Sequence, residues 1–127
     1  MRSPILGALW ASCLVAVLAN PARATELVVF GDSLSDTGNL GCGPLPYYDS
    51  RCSNGPVWVE GLADGLGGSA LPSDGGGTNF AVAGARSDEV LDSQIPAYLS
   101  GGVDPSAIHV IWIGSKILSR TSRSNPD

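Results

Sequence analysis

The chain has 127 residues, with 12 acidic and 7 basic side chains and a net charge of −5 at neutral pH. That length suits one domain at most. An acidic chain without a basic cluster excludes a surface built to read nucleic-acid phosphates. Three cysteines and a single distant histidine lack the spacing of a zinc site.

Residues 1–24 read as a secretory signal peptide. Arg2 supplies the positive start, residues 5–18 are almost wholly apolar, and Ala22-Arg23-Ala24 fits a small-x-small cleavage site. The mature chain would then begin at Thr25. The apolar run is too short and wrongly flanked for a membrane anchor, and no other run is long enough to cross a bilayer. Cys13 would serve a lipoprotein signal, but Trp10 stands where a small aliphatic residue is wanted. Loss of Arg2 and Arg23 makes the remainder still more acidic. It also leaves two cysteines, Cys42 and Cys52. Export permits a disulfide between them, and closing so short a loop contributes roughly 2–3 kcal/mol. Two free thiols are the other reading.

The mature chain is predicted to alternate strands and helices. Residues 26–30, Glu-Leu-Val-Val-Phe, form an apolar run that stops at Gly31 and reads as a buried parallel strand. Residues 33–39 suit a strand-to-helix turn and a helix start. Residues 41–55 form a loop rich in Gly, Pro, Tyr and Ser. Residues 56–63 have Pro56 at a helix start and read as a helix. Residues 65–77 are Gly-rich and flexible, without the Gly-Lys-Ser/Thr ending of a phosphate loop. Residues 78–83 are a second strand candidate ending at Gly84. Residues 88–99 carry Val90, Leu91, Ile95 and Leu99 at helical intervals, despite Pro96. Residues 106–113 read as a third buried strand, ending at Gly114. Strands apolar throughout, alternating with helices, predict an α/β fold with a parallel sheet covered on both faces. Residues 119–127 are polar and aperiodic and read as a disordered tail. Trp58 and Trp112 are expected in the core. Tyr47 and Tyr48 lie in the cysteine loop, where they could line a substrate groove.

Ligands of such sheets gather at the carboxyl ends of the strands, where Gly31, Gly84 and Gly114 all fall. Ser33 follows the first strand there. A serine on a strand-turn-helix suits acyl transfer, because free N–H groups at a helix start point at a developing oxyanion. Gly31-Asp32-Ser33 is equally ordinary turn chemistry, with Asp32 or Ser33 as an N-cap.

Residues 31–39, Gly-Asp-Ser-Leu-Ser-Asp-Thr-Gly-Asn, resemble the first block of the GDSL (SGNH) lipase–esterase family. Three further segments resemble that family in order: residues 53–60, residues 78–85, and Ile111-Trp112-Ile113-Gly114. The resemblance spans residues 26–118. It implies a three-layer, flavodoxin-like α/β fold and cleavage of carboxylic esters, often of lipids, through a serine acyl-enzyme without metal or organic cofactor. Residue by residue, it implies Ser33 as nucleophile and one oxyanion N–H donor, Gly84 as a second donor, and structural roles for Asp32 and Asn39.

The pattern departs from the family at two places. Gly114-Ser115-Lys116-Ile117 stands where the family has Gly-x-Asn-Asp, so the asparagine donor is missing. Lys116 offers a charged donor on a long flexible stem. The Asp-x-x-His block that would carry the base is absent. The only histidine, His109, falls inside the third strand and is expected to be a core or edge residue turned away from the site. Three strands make about half of such a sheet and leave a small core. The expectation is therefore a signal peptide (1–24), a partial hydrolase domain (25–118) truncated before its base, and an aberrant tail. A non-catalytic secreted binding module and a non-functional fragment remain the other readings. Neither oligomeric state nor acyl specificity follows from the sequence.

Overall fold

Four apolar residues closed by a glycine make β1 (Leu27–Gly31), every residue of which is buried. The structure, a computed structural model, describes residues 24–43 and 47–116. The expected signal peptide up to residue 23 and the tail at 119–127 lie outside the described residues. β1 pairs in parallel with β2 (Ile108–Trp112), in a register running from Leu27 opposite Ile108 to Gly31 opposite Trp112. Parallel partners need a long crossover. It is supplied by α2 (Ser87–Glu89), a wide π turn (Val90–Gln94) and α3 (Ile95–Ser100). These three pieces are the helix expected over residues 88–99. Pro96 has no N–H to donate, and the backbone opens just before it, where the Ile95 N–H reaches back five residues to the Val90 carbonyl.

Residues 78–83 do not form the expected regular strand. They run beside β1 on the edge away from β2, bonded only at intervals. The Val29 N–H donates to Thr78 at 3.0 Å, the Phe80 N–H to Val29 at 2.8 Å, and the Val82 N–H to Gly31 at 3.1 Å. The Asn79 side chain accounts for the interruption. Its Oδ1 accepts the Ala81 N–H at 3.0 Å, while its Nδ2 donates to the Ser35 carbonyl and the Thr37 hydroxyl. Its own N–H donates to Leu71. A residue bound to the neighbouring loop in this way cannot keep a regular ladder.

Side chains alternate across β1, and each face has its own core. Leu27 and Val29 pack with Val57, Val59, Ala63, Ala70 and Ala81, beneath α1 (Trp58–Gly65). Val28 and Phe30 pack with Val90 and Tyr98 of the crossover. Phe30, Phe80 and Tyr98 form an aromatic triangle with ring centroids 5.7–5.8 Å apart. The result is helix, sheet and helix in three layers, with β1 in the middle. Fully burying a Val or Phe side chain contributes about 1.5–3 kcal/mol, so this strand anchors the fold.

The third strand differs from expectation. Ile108, Ile111 and Trp112 of β2 are 40%, 59% and 54% exposed, so it is not a buried strand. Its apolar run is real. However, β2 has β1 on one edge only, and no described element covers its other edge. Trp112 and Trp58 were expected in the core and are likewise half-exposed. They pack on each other instead, ring centroids 5.4 Å apart.

The cysteine loop is held at both ends. Cys42 and Cys52 are disulfide-bonded with Cα atoms 5.0 Å apart. Arg51 forks onto Glu60 of α1, with Nη2 to Oε1 at 2.7 Å and Nε to Oε2 at 3.3 Å. Glu60 also accepts the Val57 N–H at 2.7 Å, closing the first turn of α1. Burial pushes the Glu60 carboxyl up, but the Arg51 guanidinium and the Val57 N–H outweigh it and hold the carboxyl below its ordinary range.

Candidate active site

The expected helix start after β1 is a single turn. Asp32 accepts the N–H groups of Ser35 and Asp36 at 3.0 and 3.1 Å. The helix does not continue because the Asp36 side chain takes over the following amides. Its carboxylate accepts the N–H groups of Gly38, Asn39, Leu40 and Gly41 at 2.7–3.3 Å. A side chain that gathers four consecutive amides replaces the helical ladder with a closed loop. Asp36 also accepts the Ala83 N–H at 2.8 Å, which fixes this loop to the segment leading into Gly84.

Ser33 therefore sits, half-buried, on a turn just beyond the carboxyl end of β1. Gly84 follows Val82, which donates to Gly31, so it leaves the sheet at the same end. Gly114 leaves β2 there too, because Trp112 is opposite Gly31. All three glycine turns meet at one end of the sheet. Among the described residues, neither the Ser33 N–H, its hydroxyl nor the Gly84 N–H has a protein partner. Gly84 has φ +86°, a conformation that suits glycine. Gly31 is demanded by space, since a Cβ there would collide with the Trp112 carbonyl.

Two of the expected structural residues join the turns to one another. Asp32 is fully buried, and its Oδ2 accepts the Ser115 hydroxyl at 2.6 Å and the Ser115 N–H at 3.2 Å. Its Oδ1 accepts the Leu34 N–H at 3.1 Å. Burial pushes the Asp32 carboxyl up, but the donors from Ser115, Leu34 and Gly114 outweigh it and hold the carboxyl below its ordinary range. Asn39 donates to the carbonyls of Asn79 and Ala81 at 2.7 and 2.9 Å and accepts from Ser73 and Asp74.

Sequence reasoning missed Gln94, Ser35 and Asp36. Gln94 is buried, and its side chain closes a two-bond ring on Gly31. Oε1 accepts the Gly31 N–H at 2.9 Å, and Nε2 donates to the Gly31 carbonyl at 2.8 Å. Ser35 accepts the Trp58 indole N–H at 3.1 Å. One signal was available for Gln94: a polar residue four positions after Val90, on the apolar face of the crossover.

His109 is exposed on the edge strand, opposite Val28 and not at the Gly31 end. Its Nε2 pairs with the Tyr98 hydroxyl at 2.9 Å. Ser33 is not brought together with it. Among the described residues no cluster of three or more His, Cys, Asp or Glu side chains could hold a metal ion. No described helix is long and apolar enough to cross a membrane. A hollow of about 280 Å³ borders Gly84, lined also by Leu40, Val82, Ala83, Ser93 and Gln94.

A parallel α/β sheet with its glycine turns gathered at the carboxyl end belongs to the class of α/β proteins whose ligand sites lie at that end. The chain belongs to the GDSL-like lipase/acylhydrolase family, whose profile matches residues 27–119. It is 31% identical to the phosphatidylcholine-sterol acyltransferase of Aeromonas hydrophila, over 84% of this chain and 38% of that protein. It is 30% identical to Lipase 1 of Photorhabdus luminescens, over 89% of this chain and 19% of that protein. A GDSL esterase/lipase of Arabidopsis thaliana is 34% identical over 70% of this chain and 32% of its own length. The chain thus spans between 19% and 38% of the length of these curated relatives.

Proposed function

We propose that residues 25–118 form the nucleophile-bearing part of a secreted carboxylic-ester hydrolase. Ser33 attacks the ester carbonyl. The carbonyl oxygen gains charge and is held by the N–H groups of Ser33 and Gly84. The bond to the alcohol then breaks, the alcohol leaves with a proton, and water releases the acid from the serine ester. The observation that carries this reading is the convergence of the Ser33 and Gly84 turns at one end of the sheet, joined by the bond from Ala83 to Asp36. Membership of a lipase and acylhydrolase family supports an ester, lipid or small-molecule, as the substrate.

Among the described residues no histidine is placed beside Ser33. His109 is engaged with Tyr98 at another level of the sheet, and the sequence has no Asp-x-x-His. The test is p-nitrophenyl butyrate hydrolysis and fluorophosphonate labelling of the full chain beside Ser33→Ala. Labelling at Ser33, lost in the variant together with hydrolysis, supports the reading. Equal rates and no labelling would remove it. Export is part of the same proposal, and a secreted product starting at Thr25 is its readout.

A further inference from the structure

We propose that Lys116 is an anion-binding group of this site, holding the negatively charged oxygen of an acyl group over Gly84. The inference rests on the ester-cleaving reading but is tested apart from it. A Cβ built on Gly84 would lie 3.3 Å from Lys116 Nζ. The ammonium thus stands against the one residue of the turn with no side chain. A bound oxygen beside Gly84 would meet that positive charge with no side chain in the way.

Three observations favour a ligand-facing lysine over an ordinary surface one. First, the described cations are Arg51, Arg86 and Lys116. Arg51 pairs with Asp49 and Glu60, and Arg86 with Asp88, whereas Lys116 has no carboxylate partner among the described residues. Second, the carboxylate attached to its own turn is already occupied. Asp32 accepts from the Ser115 hydroxyl, the Ser115 N–H and the Leu34 N–H. Third, those same bonds fix the residue before Lys116 to the Ser33 turn. They hold the start of the Lys116 side chain beside that turn, while its four-carbon stem keeps its rotatable bonds. The hollow of about 280 Å³ bordering Gly84 leaves room for a short acyl chain, and the one carboxylate that lines it, Glu89, accepts the Arg86 N–H at 2.8 Å.

The probe is sodium butyrate, a short carboxylate, titrated at low salt into the full chain while the Gly84 amide is followed by NMR. A saturable shift is expected in the parent and in Ser33→Ala. Lys116→Met should bind about tenfold to a hundredfold more weakly, the range of one charge-assisted hydrogen bond. Lys116→Arg should keep most of the affinity. Binding in the parent should weaken as salt rises. A Gly84 amide that does not respond in the parent, or Lys116→Met binding as tightly as the parent, overturns the proposal. Hydrolysis equal in the parent and Ser33→Ala would sink the esterase reading alone, because the butyrate titration decides Lys116 without any turnover.

Discussion

Ser115 donates its hydroxyl to Asp32 at 2.6 Å, across 83 positions of sequence, and this bond ties the exit of β2 to the turn that carries Ser33. The Asp32 carboxyl is held below its ordinary value of 3.8 despite burial that pushes it up. A carboxylate lowered in the folded state stabilises the protein above its unfolded pKa. That contribution is lost as pH falls through the folded value. Ser115→Ala should therefore cost about 1.5–3 kcal/mol at pH 7, as expected for a bond to a charged group. The gap between parent and variant should begin to narrow below about pH 4 and close as pH falls through the lower folded value. Urea unfolding at pH 7 and pH 3 measures both. A gap that stays constant with pH would assign the loss to packing.

Gln94 holds Gly31 through two buried bonds at 2.8 and 2.9 Å. Gln94→Leu keeps the volume but leaves the Gly31 N–H buried without an acceptor. The expected loss is about 1–3 kcal/mol, read as a lower denaturation midpoint. Amide exchange at Gly31 should quicken more than exchange at Val28. Uniform quickening along β1 would show that Gln94 acts through the core and not at the turn.

Gly84 has φ +86° as well as Lys116 close to the place of a missing side chain. Gly84→Ala should destabilise by about 1–2 kcal/mol through the backbone conformation alone. The lysine tip can swing aside, so Lys116→Ala in the same chain should not restore the stability. It should also leave fluorophosphonate labelling of Ser33 impaired. Full recovery in the double variant would make the contact with Lys116 the whole effect.

The disulfide between Cys42 and Cys52 closes a loop of sequence separation 10 that also carries Arg51, bound to Glu60 of α1. Reduction should lower stability by roughly 2–3 kcal/mol. The thermal midpoint with and without dithiothreitol measures this, and Cys42→Ser with Cys52→Ser should reproduce it. Because the Arg51–Glu60 fork remains, α1 should stay helical by circular dichroism.

The sequence was most legible where one segment carries its own instructions. β1 is apolar on both faces and closed by glycine, and it lies in the middle layer as read. The parallel α/β class followed from the same alternation. What failed depended on side-chain partners and covers that apolarity does not state. The run at 106–113 is as apolar as β1, yet apolarity states a preference and not the presence of a cover, so β2 is exposed. Residues 78–83 looked like a strand, but the Asn79 side chain draws that segment toward Ser35 and Thr37. The helix expected after Ser33 was prevented by Asp36, whose carboxylate collects the amides of residues 38–41. Gln94 could not be paired with Gly31 from spacing, because 63 residues separate them.

The Gln94 ring limits how freely this scaffold can be rebuilt. A crossover helix is ordinarily an exchangeable part, a cover chosen for its apolar face. Here one rung of that cover is hydrogen-bonded to the last residue of the central strand, two positions before the serine. Inserting or deleting a residue between 85 and 94 would turn the amide away from Gly31 and release the turn. Grafts from relatives should therefore be cut outside this stretch, with the helix and the first strand transferred as one unit.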